Sequence, residues 1–256
     1  MDIRKSRILR QIKNNKVATC IKININDVRN IEIAALSGFD SVWIDMEHVP
    51  TDYRFVENAV QCAKIYDCDV ITRVAKGSYS DYIRPLEADS SAIMVPHLMS
   101  LEEAKKIVYH TKFYPIGRRA LDGGNADAKY CMVDTIQYMQ QANEERFVIV
   151  QIEDPEPLAQ LDEICKLDGI DMFFFGPGDF TQGLGVPCQF DHPKVEETRK
   201  KIAETARKYG KIAGTVGGIT NYHSLTEMGY QLISLGADVV GLSNYYSKII
   251  KHCSSQ

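Results

Sequence analysis

The chain reads as an α/β protein: a single (β/α)8 TIM barrel spanning residues 1–256, with an amino-terminal helix closing the bottom. Three observations carry that expectation. Eight short apolar runs alternate with amphipathic segments, the pattern of parallel strands joined by right-handed helical crossovers. Polar and charged side chains gather where those runs end, and in a closed barrel the strand exits form the functional face. No glycine-rich nucleotide fingerprint follows the first run, which disfavours the doubly wound open sheet that the same alternation allows.

The elements follow in order. Arg4, Lys5, Arg7, Arg10, Lys13 and Lys16 crowd the amino terminus, yet no apolar signal-peptide core accompanies them. Ile3, Ile8, Leu9 and Ile12 share a helical face, so the segment predicts a helix under the barrel rather than a targeting peptide. Residues 17–24 form the first strand, and Asn26 or Asp27 caps a helix that stops at Gly38. Residues 41–45 are the second strand, emptying into Met46-Glu47-His48, and Thr51 caps a helix to about residue 65. Strand three is 70–74, a helix covers 81–86, and strand four is 92–96 with His97 just beyond. Ser100 and Glu103 make a capping box, with Glu102 and Lys106 an i,i+4 pair.

Residues 112–130 break this rhythm, and their arginines and aromatics favour a functional loop. A helix over 133–143 leads to strand five at 147–153; Asp154-Pro155 then caps and opens the next helix. Strand six is 172–175, followed by a glycine-rich turn over 176–185 and a Lys- and Glu-rich helix after Asp191. Strand seven at 211–216, a helix at 222–228, strand eight at 231–235 and a last helix through 250 complete the count.

Composition narrows the function classes. A hydrophobic content of 45% supports a large core, and a net charge of −4 with a pI near 5.9 gives no electrostatic reason for a nucleic-acid or membrane partner. No apolar stretch reaches the length of a membrane span. Seven scattered cysteines without a C-x-x-C pair predict reduced thiols and a cytoplasmic protein.

The chemistry centres on two stretches, Val150-Gln151-Ile152-Glu153 and Phe173-Phe174-Phe175-Gly176-Pro177-Gly178-Asp179. Each is an apolar run ending near a carboxylate, and one crossover helix fits between them, so Glu153 and Asp179 emerge at the same face. Converging carboxylates repel unless they share a proton or a cation, and an all-oxygen pair suits Mg2+ or Mn2+. The other strand ends supply Glu47, His48, Arg73, His97 and Gln151. Arg73 must meet an anion, either a structural carboxylate or a substrate. His48 suits proton transfer, with Glu87 a candidate to orient it. The glycines around Gly178 offer backbone N–H donors to an anion, while His97, His192 and His223 read as loop or helix-cap residues.

Ile44-Asp45-Met46-Glu47-His48, the Arg73 strand, Val95-Pro96-His97, Tyr114-Pro115-Ile116-Gly117-Arg118-Arg119, Val150-Gln151-Ile152-Glu153 and Gly176-Pro177-Gly178-Asp179-Phe180-Thr181 resemble, in order and spacing, the motifs of the HpcH/HpaI aldolases. This family lies within the phosphoenolpyruvate/pyruvate barrel superfamily. The resemblance implies a metal-dependent (class II) lyase that cleaves 4-hydroxy-2-oxo acids, of the 2-keto-3-deoxy sugar acid or hydroxy-oxo-dioate type, to pyruvate and an aldehyde. It also implies a homo-oligomer, usually a hexamer, and a divalent cofactor, Mg2+ or Mn2+ with Co2+ a further option.

By the same resemblance Glu153 and Asp179 hold the metal, Gln151 lies beside pyruvate, and Arg73 faces the enolate oxygen. His48, oriented by Glu87, moves the proton of the 4-hydroxyl, and backbone N–H groups at Gly178 and Asp179 hold the pyruvate carboxylate. Val49, Asp89 and Asp122 depart from the family pattern, in places expected near the aldehyde side. Two alternatives accompany this reading: a 2-oxo acid decarboxylase of the oxaloacetate type, and a non-catalytic ligand-binding barrel.

Overall fold

The computed structural model describes residues 1–254. Its sheet is a closed barrel in sequence order, β1 (Ala18–Ile23), β2 (Ser41–Asp45), β3 (Asp69–Arg73), β4 (Ala92–Val95), β5 (Phe147–Ile152), β6 (Met172–Phe175), β7 (Ile212–Gly217) and β8 (Leu232–Ala237). Every neighbouring pair is parallel, β8 closing onto β1. All eight expected strands are present, with ends shifted by at most two residues and β2 and β6 matching in full. Alternation explains why such apolar runs make strands here: one set of side chains faces the barrel interior and the other meets the surrounding helices.

The floor is α1 (Arg7–Lys13), capped by Ser6, whose side chain accepts from the Leu9 N–H. Ile8 is buried in the interior cluster with Trp43, Ile71, Phe147 and Phe174, and Leu9 and Ile12 pack against it. The basic side chains of this segment find partners at the strand entrances: Arg4 and Asp69, Arg7 and Asp40, Arg10 and Asp67. Those ion pairs give the cationic amino terminus a structural role.

Outside the barrel run α2 (Val28–Leu36), α3 (Tyr53–Ile65), α4 (Tyr79–Glu87), α5 (Leu101–Thr111), α6 (Thr135–Glu145), α7 (Leu161–Cys165), α8 (Pro177–Gly183), α9 (Pro193–Lys208), α10 (Tyr222–Met228) and α11 (Asp238–Ser254). Several caps differ from expectation by a residue. Asp27 caps α2, whereas α3 is capped by Asp52, not Thr51. Ser100 caps α5 as expected, but Glu102 pairs with Lys105, one turn position earlier than Lys106. The 176–185 segment, read as a turn, contains α8: proline at its first helical position supplies a preset φ and gives up an N–H that had no partner.

The 112–130 segment is held together internally. Arg119 is buried, pairs with Asp127 at 2.8 Å and stacks on Phe113, while Tyr138 donates to the same carboxylate at 2.6 Å. Arg119 is thus structural, while Arg118 is exposed. The cysteines are all free. Among the described residues no helix is long and apolar enough to cross a membrane.

Candidate active site

Strand alternation builds the site. Cys20, Trp43, Ile71, Ile149 and Phe174 belong to the buried interior layer. Two residues further along the same strands stand Lys22, Asp45, Arg73, Gln151 and Gly176, so the layer above the apolar plug is polar by register alone. Above it opens a cavity of about 370 Å3, lined among others by Lys22, Arg73, Gln151, Glu153 and Asp179.

Arg73 meets a structural carboxylate. Its Nε and Nη2 donate to the two oxygens of Asp45 at 2.9 and 2.6 Å, its Nη1 lies 3.0 Å from Glu47, and its guanidinium sits 4.8 Å from the Trp43 ring centre. Asp45 is fully buried. Burial opposes its ionisation, but hydrogen bonding and charge from Arg73, joined by Lys22, outweigh that and hold its carboxyl well below the usual range. Asp45 Oδ1 also accepts the Glu47 N–H at 3.0 Å, which fixes the turn leaving β2.

Glu153 is 2% exposed. One carboxylate oxygen accepts the His97 N–H and the other the Gln151 side-chain amide, both at 2.9 Å. Burial pushes its pKa up to about 7, against the lowering influence of the His97 N–H and of the His97 and Arg73 charges. A carboxylate buried this deeply beside a cavity is a site that gains by taking up further positive charge. Asp179, in the first turn of α8, lines the same cavity. Gly176 makes room for the Glu153 side chain: a Cβ there would lie 2.6 Å from Glu153 Oε2. These two oxygen donors fit a hard divalent ion that keeps most positions for water and ligand. Among the described residues no group of three or more His, Cys, Asp or Glu side chains is arranged to hold a metal.

Two expected members lie elsewhere. His48 is at the rim, 60% exposed, with Nε2 3.7 Å from Glu47. Glu87 ends α4, close before the entrance of β4, and therefore at the opposite end of the barrel from the exit of β2. It lines a separate cleft of about 770 Å3 between α3, α4 and the 125–132 segment, and burial raises its pKa. Within the chain Glu87 does not orient His48; Glu47 is the carboxylate beside it.

The departures expected near the aldehyde are also away from the cavity. Val49 is buried beside the β2 exit, Asp122 accepts from the Gly124 N–H in its own loop, and Asp89 lies at the strand entrances. Asp89 has φ +72°, a conformation that favours glycine, and Arg146 and Lys64 both engage its carboxylate. An aspartate is tolerated there because its charge is answered twice.

The model of the family described as HpcH/HpaI aldolase/citrate lyase matches residues 23–244. The chain belongs to this family. Like the aldolases it resembles, this HpcH/HpaI protein is a carbon–carbon lyase. The 2-keto-3-deoxy-L-rhamnonate aldolase of Klebsiella pneumoniae is 34% identical over 184 residues, 72% of this chain and 68% of the relative. The crystal structure of an HpcH/HpaI aldolase from Desulfitobacterium hafniense superposes with a TM-score of 0.91 at 25% identity, covering 97% of this chain and 96% of that one. Citrate synthase SbnG gives 0.87 at 28% identity, covering 98% of each.

In this HpcH/HpaI site three residues matter more than the sequence suggested. His97, taken for a loop residue, donates its N–H to Glu153, bonds Asp154 through Nδ1 at 2.8 Å, and holds Nε2 3.8 Å from both Glu47 and Glu153. Burial lowers its pKa, but Asp154, Glu153 and Glu47 outweigh it, and the net shift is upward. Asp154 is thereby drawn away from the helix cap expected of it, and the helical turn after it has no side-chain cap. Position just past a strand exit was the available signal for His97; its left-handed backbone, φ +48°, was not legible. Asp45 was hidden as the last residue of an apolar strand, and Lys22 as an ordinary surface-type residue.

Proposed function

We propose that this lyase is a metal-dependent aldolase that cleaves 4-hydroxy-2-oxo acids to pyruvate and an aldehyde, and joins them in reverse. The observation that carries the reading is the placing of Glu153 and Asp179 in one cavity with Arg73 and Gln151. Glu153 and Asp179 would hold Mg2+ or Mn2+, which when bound supplies Lewis acidity to the 2-oxo acid.

The chain's own groups do the rest. Gln151 ties Glu153 to the neighbourhood of Arg73, whose Nη1 lies 3.5 Å from the Gln151 side-chain Oε1. Arg73, clamped by Asp45 and stacked on Trp43, presents a fixed positive charge where negative charge develops on the 2-oxo oxygen. In cleavage the C3–C4 bond breaks and its electron pair passes into pyruvate enolate. His48, beside Glu47 at the rim, takes the 4-hydroxyl proton as the aldehyde forms, and the enolate is protonated at C3. Backbone N–H groups at Gly178 and Asp179 receive the pyruvate carboxylate. Self-association is part of the proposal: α11 buries none of its residues and exposes Val240, Tyr245, Tyr246 and Ile250.

Pyruvate release from a 4-hydroxy-2-oxo acid tests the reading. Chelator should abolish release and Mg2+ or Mn2+ restore it; undiminished release in chelator rejects the role given to Glu153 and Asp179.

A further inference from the structure

Glu153 is held from two sides. Gln151, two residues earlier on the same strand, donates to Oε2, and the His97 N–H, two residues beyond the end of the neighbouring strand β4, donates to Oε1. Each carboxylate oxygen has two lone-pair directions, so these bonds leave one on each oxygen for a cation and fix where it points. The aim of Glu153 therefore depends on the setting of the turn at His97.

That turn is strained and pinned. His97 has φ +48°, in the left-handed region, where a residue other than glycine needs support from its surroundings. Its carbonyl oxygen accepts from Lys76, which reaches over from the loop between β3 and α4 and pairs with Glu103 at 2.9 Å. The Leu98 N–H that follows donates to the Gln151 backbone carbonyl at 3.2 Å. The imidazole bonds Asp154 through Nδ1 at 2.8 Å. Because Asp154 directly follows Glu153, the backbone and the side chain of His97 grip two consecutive residues at the β5 exit. Asp154 stands just before Pro155, where its carboxylate could cap the next helical turn; it engages His97 instead, and that turn has no side-chain cap.

We propose that the His97–Asp154 pair is a positioning element of the metal site: it holds the turn after β4 so that Glu153 presents its remaining lone pairs to the cation, and it thereby sets the affinity for metal. Neither residue is a ligand. This inference rests on the metal-dependent reading of Glu153 and Asp179.

Mn2+ binding to the metal-free protein, read from loss of the free-ion EPR signal at one fixed pH and without substrate, is the test. His97→Ala and Asp154→Ala should each raise the Mn2+ Kd about 10- to 100-fold, the usual cost of losing such an outer contact. The double variant should cost no more than either change alone, because the two side chains act as one unit. Asp154→Asn should keep near wild-type affinity, since an amide still bonds Nδ1. Charge alone gives the opposite pattern: Asp154→Asn would weaken binding as much as Asp154→Ala, and loss of the imidazole would leave binding unchanged or tighten it. Either of those results, or a wild-type Kd in either alanine variant, overturns the inference. Thermal melts of the same samples report folding, and if His97→Ala does not fold, the Asp154→Ala and Asp154→Asn comparison decides alone. A wild type that binds no Mn2+ rejects the metal site and this inference with it. Binding that is lost in Glu153→Gln but untouched in Asp154→Ala rejects the positioning role alone.

Discussion

Arg73 illustrates how one residue serves structure and chemistry together. Because Asp45 is buried and depends on it, Arg73→Ala leaves a carboxylate with only Lys22 for company. Breaking such a pair costs about 3–5 kcal/mol, so this variant should lose stability as well as about 100-fold or more in turnover. Arg73→Lys separates the effects: it should stay folded in a thermal melt yet turn over at least about tenfold more slowly, since an ammonium cannot make the two-pronged contact. Wild-type kcat in Arg73→Lys would mean that the guanidinium only shores up Asp45. Glu153 gives a pH signature. Its pKa rises from 4.5 to about 7 on folding, so the metal-free folded protein binds this proton more tightly than the unfolded chain. That contribution to stability is complete below about pH 4.5 and is lost as pH rises through about 7. The Tm of the metal-free protein should therefore fall across this window relative to Glu153→Gln; parallel curves would contradict the shift. Glu153, Asp179 and Arg73 were legible because each interrupts or ends an apolar run. Glu87 was misplaced because neither composition nor periodicity says which end of a barrel a helix terminus reaches.

Among elements, the joint between β6 and α8 passes closest to Glu153. Gly176 ends the strand run and precedes Pro177, and it passes so close to Glu153 that an added Cβ would meet Oε2 at 2.6 Å and the Glu153 Cβ at 3.0 Å. Gly176→Ala should displace the carboxylate without unfolding the barrel, lowering turnover about 100-fold. Near wild-type kcat would show that the spacing is slack. Strands were readable from the sequence because burial on both faces leaves nearly unbroken apolar runs. Caps shifted by a residue because Thr51 and Asp52 are both competent acceptors, and local sequence does not choose between them. Within the 112–130 segment Arg119 has the look of a ligand-binding residue, and only its pairing with Asp127, whose carboxylate also accepts from Tyr138, shows it to be structural.

At the scale of the molecule, closure was predictable from eight alternating units, and closure is what turns separate strand ends into one cavity. It gathers Lys22, Arg73, Gln151, Glu153 and Asp179 from four different strand exits, something no local window displays. Closure also sorts polar clusters by end: the Asp40, Asp69 and Asp89 ion pairs hold the floor, and the Asp45, Glu47 and Glu153 group holds the mouth. The central claim is that the mouth binds a divalent cation between Glu153 and Asp179. Crystals soaked in Mn2+ test it most directly: the account predicts an anomalous scattering peak between those two side chains, absent in Glu153→Gln. A map with no peak there, or a peak that survives the substitution, would contradict it.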